Sequence, residues 1–323
     1  MLAITAARID PSDPLSGLEI GPRPEPTAPP GWTTVTVKAA SLNHHDLWTL
    51  RGVGIKPDRL PVILGTDAAG IAEDGSEVVV HAIVGDPDAG RGDETLDPAA
   101  SILSEVYDGT LAERVVVPRR NLVPKPAELS WEEAACLPTA WLTAYRMLAT
   151  RSGLRPGSTV LIQGAGGGVA TALVSLAGVM GIRAWVTSRD EAKGERAVGL
   201  GAAAWFPSGA RLPERVDAVM ETVGEATWAH SLRALKPGGR IVVCGATSGF
   251  NPPGDLARVY YLQLSVVGST MGTRSELMAL LSLLITTGLR PQVDRVLPLA
   301  AARDGLAALA AGDVFGKIVL VNG

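Results

Sequence analysis

Cysteine is nearly absent: Cys136 and Cys244 are the only two in 323 residues and lie far apart. No disulfide framework is available, nor the closely spaced thiolates of a structural zinc lobe, and the usage suits a reducing compartment. Charge is also sparse, at 19% of residues with a net of −4 and no basic stripe. Nucleic acid is therefore not the expected partner. The longest apolar run, near Leu277–Ile285, is interrupted by Ser282 and is too short to span a bilayer. The opening MLAITAARID carries neither the basic nor the apolar region of a signal peptide. These features predict a soluble, cytoplasmic protein. What is abundant is apolar residue, 46% of the chain, enough to fill the cores of about two domains.

The stretch Thr159–Arg189 is the most informative. It reads as a short apolar strand (Thr159–Gln163), a glycine-rich turn, a helix from about Ala170, and a second strand over Arg183–Val186. Gly164, Gly166, Gly167 and Gly168, followed by Val169, form a turn that lets backbone approach a ligand closely. The helix start offers free N–H groups and a positive dipole end, which suits a pyrophosphate. The second strand ends about 20 residues after the glycines, where a dinucleotide site reads its ribose. A tight turn with no ligand and a methyltransferase both remain alternatives at this point.

Upstream, Val35, Val37 and Ala39 alternate with Thr34, Thr36 and Lys38, the period of a half-buried strand. Asn43 followed by Asp46 predicts a helix N-cap. Leu60–Ala82 is apolar and broken by Gly65, Gly70 and Gly75, suggesting a small antiparallel barrel; Asp86–Glu105 predicts an exposed loop. Ser130–Thr150 predicts a helix capped by Ser130, with Glu132 and Glu133 in its first turn. From Gly157 strands and helices alternate, with further strands expected near 216–220, 240–244 and 264–268. The expected domains are 1–126, completed by 272–323, and 127–271.

Several segments together resemble one family. They are Asn43-His44-His45-Asp46, Leu60-Pro61, Gly65-Thr66-Asp67, Gly109–Glu113, Thr139–Tyr145, GAGGGVA, Leu235–Arg240 and Gly316-Lys317. In order and spacing they are similar to the medium-chain dehydrogenase/reductases, and to their zinc-free quinone oxidoreductase-like branch. The resemblance implies an α/β fold, a Rossmann doubly wound parallel sheet plus a GroES-like β-barrel domain. It further implies a nicotinamide dinucleotide and a homodimer paired through the last Rossmann strand, near Leu264–Gly268. Zinc members of the family ligate the catalytic metal with Cys, His and Cys, Asp or Glu. Asn43, Thr66 and Thr139 stand at those positions, and an amide with two hydroxyls is not a competitive zinc set. No metal is expected.

The resemblance also assigns candidate site residues. Asn43, His44 and Thr139 are the catalytic candidates, Asn43 as a donor to a carbonyl or ribose hydroxyl or simply as a helix cap. His45 is more readily a packing residue, and Asp67 a loop anchor. Asn43, Thr139 and Thr143, Val223 with Gly224, and Gly245-Ala246-Thr247 are expected beside the cofactor with the glycines, as is Lys317. Ser188 and Arg189 stand where an NAD site offers an acid, and with Lys193 they suit a 2′-phosphate. The cofactor expected is NADP(H), although Asp190-Glu191 could pair with Arg189 or read a ribose. Trp48, Trp141 and Tyr260 are candidates for an apolar substrate pocket.

Without a Lewis acid an unactivated ketone is a poor target, whereas hydride addition to an enone or quinone gives a delocalised anion. The expected activity is hydride transfer from NADPH to a quinone or α,β-unsaturated carbonyl. An enoyl-thioester reductase is the enzymatic alternative, and a non-catalytic NADPH-binding protein the alternative of another class.

Overall fold

The computed structural model describes residues 1–322. They form two compact units, Met1–Ala140 with the segment from Thr273 onward, and Trp141–Gly272. Residues 127–140, expected with the dinucleotide half, group with the first unit. The reason is packing: helix Trp131–Ala135 lies against strands Trp32–Ser41 and Asp67–Ala72.

The first unit is organised around the ten-residue strand Trp32–Ser41. Thr33, Val35, Val37 and Ala39 are buried while Thr34, Thr36 and Lys38 are not, the alternation that the sequence predicts. This strand pairs antiparallel with Asp67–Ala72, with Arg114–Pro118 and with the C-terminal strand Lys317–Val321. Glu77–Val80, Leu122–Pro124 and Val293–Pro298 extend the same seven-stranded sheet, and Leu2–Ala6 holds a smaller one with Leu18–Pro22 and Val62–Ile63. The loop over 86–105 is not wholly exposed. Glu94, Ser101, Leu103 and Ser104 are buried, because a short strand, Ser101–Ile102, pairs with Ile83–Val84 and turns that end inward.

Two registers of this sheet position the candidate chemistry. Ser41 pairs with Asp67 on one side and with Val319 on the other. Extending the second register by two residues brings Lys317 opposite Asn43. The chain end is thereby joined to a residue 274 positions earlier.

The helix expected from Ser130 starts as predicted. Ser130 Oγ accepts from the Glu133 N–H and the Glu133 carboxylate accepts from the Ser130 N–H, a capping box. It does not run on evenly, for Leu137–Trp141 and Met147–Arg151 are widened π turns flanking the α-helical Leu142–Arg146. Pro138 lies in the first of these, and Thr139 beside it. Such widened turns often mark functional positions.

The second unit is a six-stranded parallel sheet in the order Ala204–Pro207, Arg183–Ser188, Thr159–Gln163, Val216–Glu221, Leu235–Val243, Ser265–Gly268. This is the Rossmann order 3-2-1-4-5-6. Five of these strands are those expected from the sequence; the sixth, Ala204–Pro207, is a four-residue edge strand whose apolar run over 202–206 is short and closed by Pro207. Its Trp205 covers Gly194, where a Cβ would lie 2.4 Å from the ring. Residues 170–177 of the helix Gly168–Val179 are all buried, so it is enclosed on every side and not only along one apolar stripe. No helix among the described residues is long and apolar enough to cross a membrane.

Candidate active site

In the first unit, Asn43, Thr66, Asp67, Thr139 and Lys317 converge on one buried polar cluster. Asp67 is fully buried, and its Oδ2 accepts from Ser41 Oγ (2.6 Å), Asn43 Nδ2 (2.8 Å) and Lys317 Nζ (3.3 Å). Lys317 Nζ also donates to the Leu42 carbonyl (2.7 Å) and to Asn43 Oδ1 (2.5 Å). Its three hydrogens therefore have three acceptors. The neighbours fix the orientation of the Asn43 amide, with its oxygen to the ammonium and its nitrogen to the carboxylate. Asn43 Nδ2 also reaches Thr66 Oγ1 at 3.1 Å and the Ser41 carbonyl at 3.3 Å. Thr66 Oγ1 lies 2.9 Å from Thr139 Oγ1.

Two expected roles change on this geometry. Lys317 does not present a free ammonium to a cofactor, since it is 3% exposed and saturated by its own unit. Asn43 does not keep its amide hydrogens for a substrate; they point at Asp67 and Thr66, while its backbone N–H caps onto Asp46 at 2.8 Å. Asp46 itself is fully buried with Oδ1 unpartnered, and burial pushes its carboxyl up to about 6. Ser41 was not singled out from the sequence, because only the register places it beside Asp67.

His44 is exposed at the start of helix His44–Leu50. Desolvation by the surrounding protein, then the Lys317 and Arg51 cations, push its pKa below the usual histidine value. The direction favours a neutral ring at pH 7. His45 is anchored between Glu105 (Nε2, 3.1 Å) and Ser104 (Nδ1, 3.3 Å), a packing role. Trp48 is half-buried with the Arg51 guanidinium 5.3 Å over its ring.

In the second unit, Gly164 has φ +91°, which explains a glycine there without a ligand. Gly167 is different. A Cβ on it would meet no protein atom within 4 Å, so packing does not demand glycine, and the open space beside the helix start suits close approach of a phosphate. Val169 is half-buried in the first turn and Thr143 is buried on its own helix. Val223-Gly224 and Gly245-Ala246-Thr247 follow adjacent parallel strands at the same sheet edge as Gly164. Gly224 is required by the fold, having φ +92° and a virtual Cβ 2.6 Å from the Gly249 carbonyl.

Beneath this edge lies a buried network that the sequence reading missed. Glu221 Oε1 accepts from the Val223 and Gly224 N–H groups and from Thr227 Oγ1, and its Oε2 from Ser231 Oγ at 2.5 Å. Gln163 Nε2 donates to Ser231 Oγ, and its Oε1 accepts from Thr187 Oγ1 at 2.6 Å. A carboxylate closing the apolar strand Val216–Glu221 was the available signal. Its partners fix the loops on either side of the glycine turn.

At the end of Arg183–Ser188, Ser188 Oγ donates to the Asp190 carbonyl and accepts from the Asp190 N–H. The hydroxyl is a turn cap and its hydrogen is already used. Asp190 caps the next helix through the Lys193 N–H at 3.1 Å. Arg189 is exposed and makes no ion pair or hydrogen bond among the described residues. Of the two aromatic pocket candidates here, Trp141 is wholly buried in the core, and Tyr260 is 73% exposed on helix Leu256–Tyr261. Tyr260 lines an open depression of about 520 Å³ together with Arg215, Asp255, Arg258 and Tyr261, whereas Trp141 packs in the core.

Known proteins agree with this architecture. The family description "Alcohol dehydrogenase GroES-like domain" matches residues 29–127, and "Zinc-binding dehydrogenase" matches 168–286. A crotonyl-CoA carboxylase/reductase of Cereibacter sphaeroides is 31% identical, covering 82% of this chain and 74% of its own. The chain belongs to the medium-chain dehydrogenase/reductase superfamily. Within that superfamily a solved NAD-dependent alcohol dehydrogenase is 36% identical over the whole of both chains, with a TM-score of 0.91. A crotonyl-CoA carboxylase/reductase solved with NADP shares the fold, with a TM-score of 0.91 over 99% of this chain and 94% of its own, at 23% identity. The fold is that of an oxidoreductase of this superfamily, a Rossmann sheet with a GroES-like barrel.

One family description implies zinc, and the residues present do not fit it. The three side chains at the zinc-ligand positions are an amide and two hydroxyls, a lysine ammonium lies 2.5 Å from the amide oxygen, and the adjacent Asp67 carboxylate is taken up by that ammonium. Zn²⁺ selects thiolate, imidazole or carboxylate and would repel a cation there. Cys136 is not one of the three ligand positions; it is buried one turn earlier and its thiol donates to the Glu132 carbonyl at 3.2 Å.

Proposed function

We propose that the chain is a zinc-independent, NADPH-dependent reductase of α,β-unsaturated thioesters. The observation that carries this reading is the pairing of an unsuitable zinc donor set with a 31% identical crotonyl-CoA carboxylase/reductase. An alcohol dehydrogenase needs a strong electrophile at the oxygen to stabilise an alkoxide. A 2-enoyl thioester does not, because hydride arriving at the β-carbon leaves an enolate spread over carbon, oxygen and sulfur-bearing carbonyl. Positioning and modest hydrogen bonding suffice. The thioester is preferred here over the quinone expected from the sequence, on the strength of that relative.

The reductant is NADP(H). It supplies the hydride, and this chain's contribution is to bind it at the Gly164–Val169 turn and to answer its 2′-phosphate with Arg189. The guanidinium is exposed and uncommitted, and the adjacent Asp190 is engaged in capping. A homodimer paired along the edge strand Ser265–Gly268 completes the proposal, supported by Val266 standing 50% exposed there.

The test is a substrate panel of crotonyl-CoA, longer 2-enoyl-CoA, a quinone and a primary alcohol, each with NADPH or NADP and metal content measured. Turnover of enoyl-CoA in metal-depleted protein is expected. Alcohol oxidation requiring zinc would overturn the reading, as would tight NADPH binding with no turnover of any of them.

A further inference from the structure

We propose that Thr139 is the catalytic hydrogen-bond donor to the substrate carbonyl, and that Lys317, Asn43 and Thr66 orient and strengthen it as a one-way relay. This rests on the enoyl-thioester reading above. The direction of the relay follows from counting hydrogens. Lys317 has no lone pair, so it donates to Asn43 Oδ1 (2.5 Å). Asn43 Nδ2 can only donate, and Thr66 Oγ1 accepts at 3.1 Å. Thr66 is fully buried, and among the described residues the sole acceptor for its own hydrogen is Thr139 Oγ1, at 2.9 Å. Were Thr139 to donate instead, the Thr66 hydrogen would be left unpaired in the interior, which costs more than leaving free the hydroxyl of a residue that is only half-buried. Thr66 therefore donates, and Thr139 accepts.

Thr139 is half-buried, and no other acceptor within the described residues takes its hydrogen. Its O–H is the open end of a chain whose far end is an ammonium held by Asp67. Each donation withdraws electron density from the next hydroxyl, so the terminal hydrogen is more acidic than that of an isolated threonine. The π turn Leu137–Trp141 sets this side chain against the Thr66 loop.

In the reaction the hydride and its electron pair add to the β-carbon, the C=C pair moves to make the C=C–O⁻ enolate, and solvent water protonates the α-carbon. Thr139 gives no proton away; its O–H hydrogen bond is strongest when the oxygen carries the enolate charge. That is transition-state stabilisation of the oxyanion type, for which loss of one donor lowers kcat by about a hundredfold or more.

The experiment compares Thr139→Val, Thr139→Ser and Thr66→Val with the parent enzyme, using crotonyl-CoA and NADPH. Val keeps the volume and removes the donor; Ser keeps the donor. Thr139→Val is expected to lose about a hundredfold in kcat with KM little changed. Thr139→Ser is expected to restore most of it, and Thr66→Val, which unpairs the relay, to lose about tenfold. NADPH affinity should be unmoved in Thr66→Val. Thr139→Val within twofold of parent, or Thr139→Ser as slow as Thr139→Val, would overturn the proposal while leaving the reductase reading intact. If the parent enzyme reduces quinones and no enoyl thioester, the reading fails, and the Val/Ser contrast read on the quinone still decides the donor. Should Thr139→Val not fold, parent-like kcat in a folded Thr66→Val would refute the relay.

Discussion

Replacing Lys317 by Met separates a structural ammonium from a cofactor-binding one. The side chain is 3% exposed, and its Nζ neutralises the Asp67 carboxylate, which is itself fully buried. Met keeps the stem and removes the charge, leaving Asp67 with the neutral donors of Ser41 and Asn43 and with Oδ1 still unpartnered. Breaking a buried ion pair from one side costs about 3–5 kcal/mol. For a protein of this size that lowers Tm by roughly 4–7 °C. Adding Asp67→Asn removes the stranded charge while its amide oxygen still accepts from Ser41 and Asn43, so the double variant should recover most of the loss. Differential scanning calorimetry of the parent, both single variants and the double variant gives the coupling directly. An unchanged Tm in Lys317→Met, together with a loss of NADPH affinity, would refute the reasoning and return Lys317 to the cofactor.

Arg189→Ala should weaken NADPH by about tenfold to a hundredfold, as expected for loss of a charge-assisted bond to phosphate, and leave NADH nearly unchanged. Equal effects on both in fluorescence titrations would remove Arg189 from the 2′-phosphate. Asp46→Asn should stabilise the protein increasingly as pH rises. The folded carboxyl sits at about 6 against an unfolded value near 3.8, so the parent loses stability as pH climbs through 6. The full difference is about 3 kcal/mol above that range; a Tm gap that does not vary between pH 4.5 and 8 would contradict it. Val266→Lys should convert a dimer to monomer in light scattering, and a monomeric parent would dispose of the edge-strand pairing.

The two units were legible in the sequence to different depths. The Rossmann half announces itself locally, since a strand, a glycine turn and a helix are contiguous and each has its own periodicity. Even there, Ala204–Pro207 was not expected, because an apolar run as short as 202–206, closed by Pro207, does not by itself distinguish an edge strand from a buried connection. Ser188 was misjudged for a related reason. Its side chain finds Asp190 two residues on, a local bond that competes with any ligand. The buried Glu221 network was hidden because its partners come from a loop and a helix beyond the strand that ends in it.

The polar cluster shows the same limit at longer range. Asn43, Thr66 and Thr139 could be grouped from the sequence only by resemblance, and Lys317 was referred to the cofactor by the same route. The antiparallel register of the C-terminal strand, Val319 opposite Ser41, is what moves Lys317 beside Asn43. Once there, its charge has a consequence that no single residue carries. A zinc site in this superfamily needs ligands that bring negative charge to a divalent ion; here the ligand positions are neutral, the Asp67 carboxylate is already matched by the Lys317 ammonium, and the Asp46 carboxylate is turned to the Asn43 backbone N–H. The Asp67 charge is therefore already matched by a monovalent cation tethered to the chain. A metal could enter only by displacing Lys317 from Asp67 and gaining neutral donors in exchange, an exchange that Coulomb energy and zinc's ligand preference both oppose.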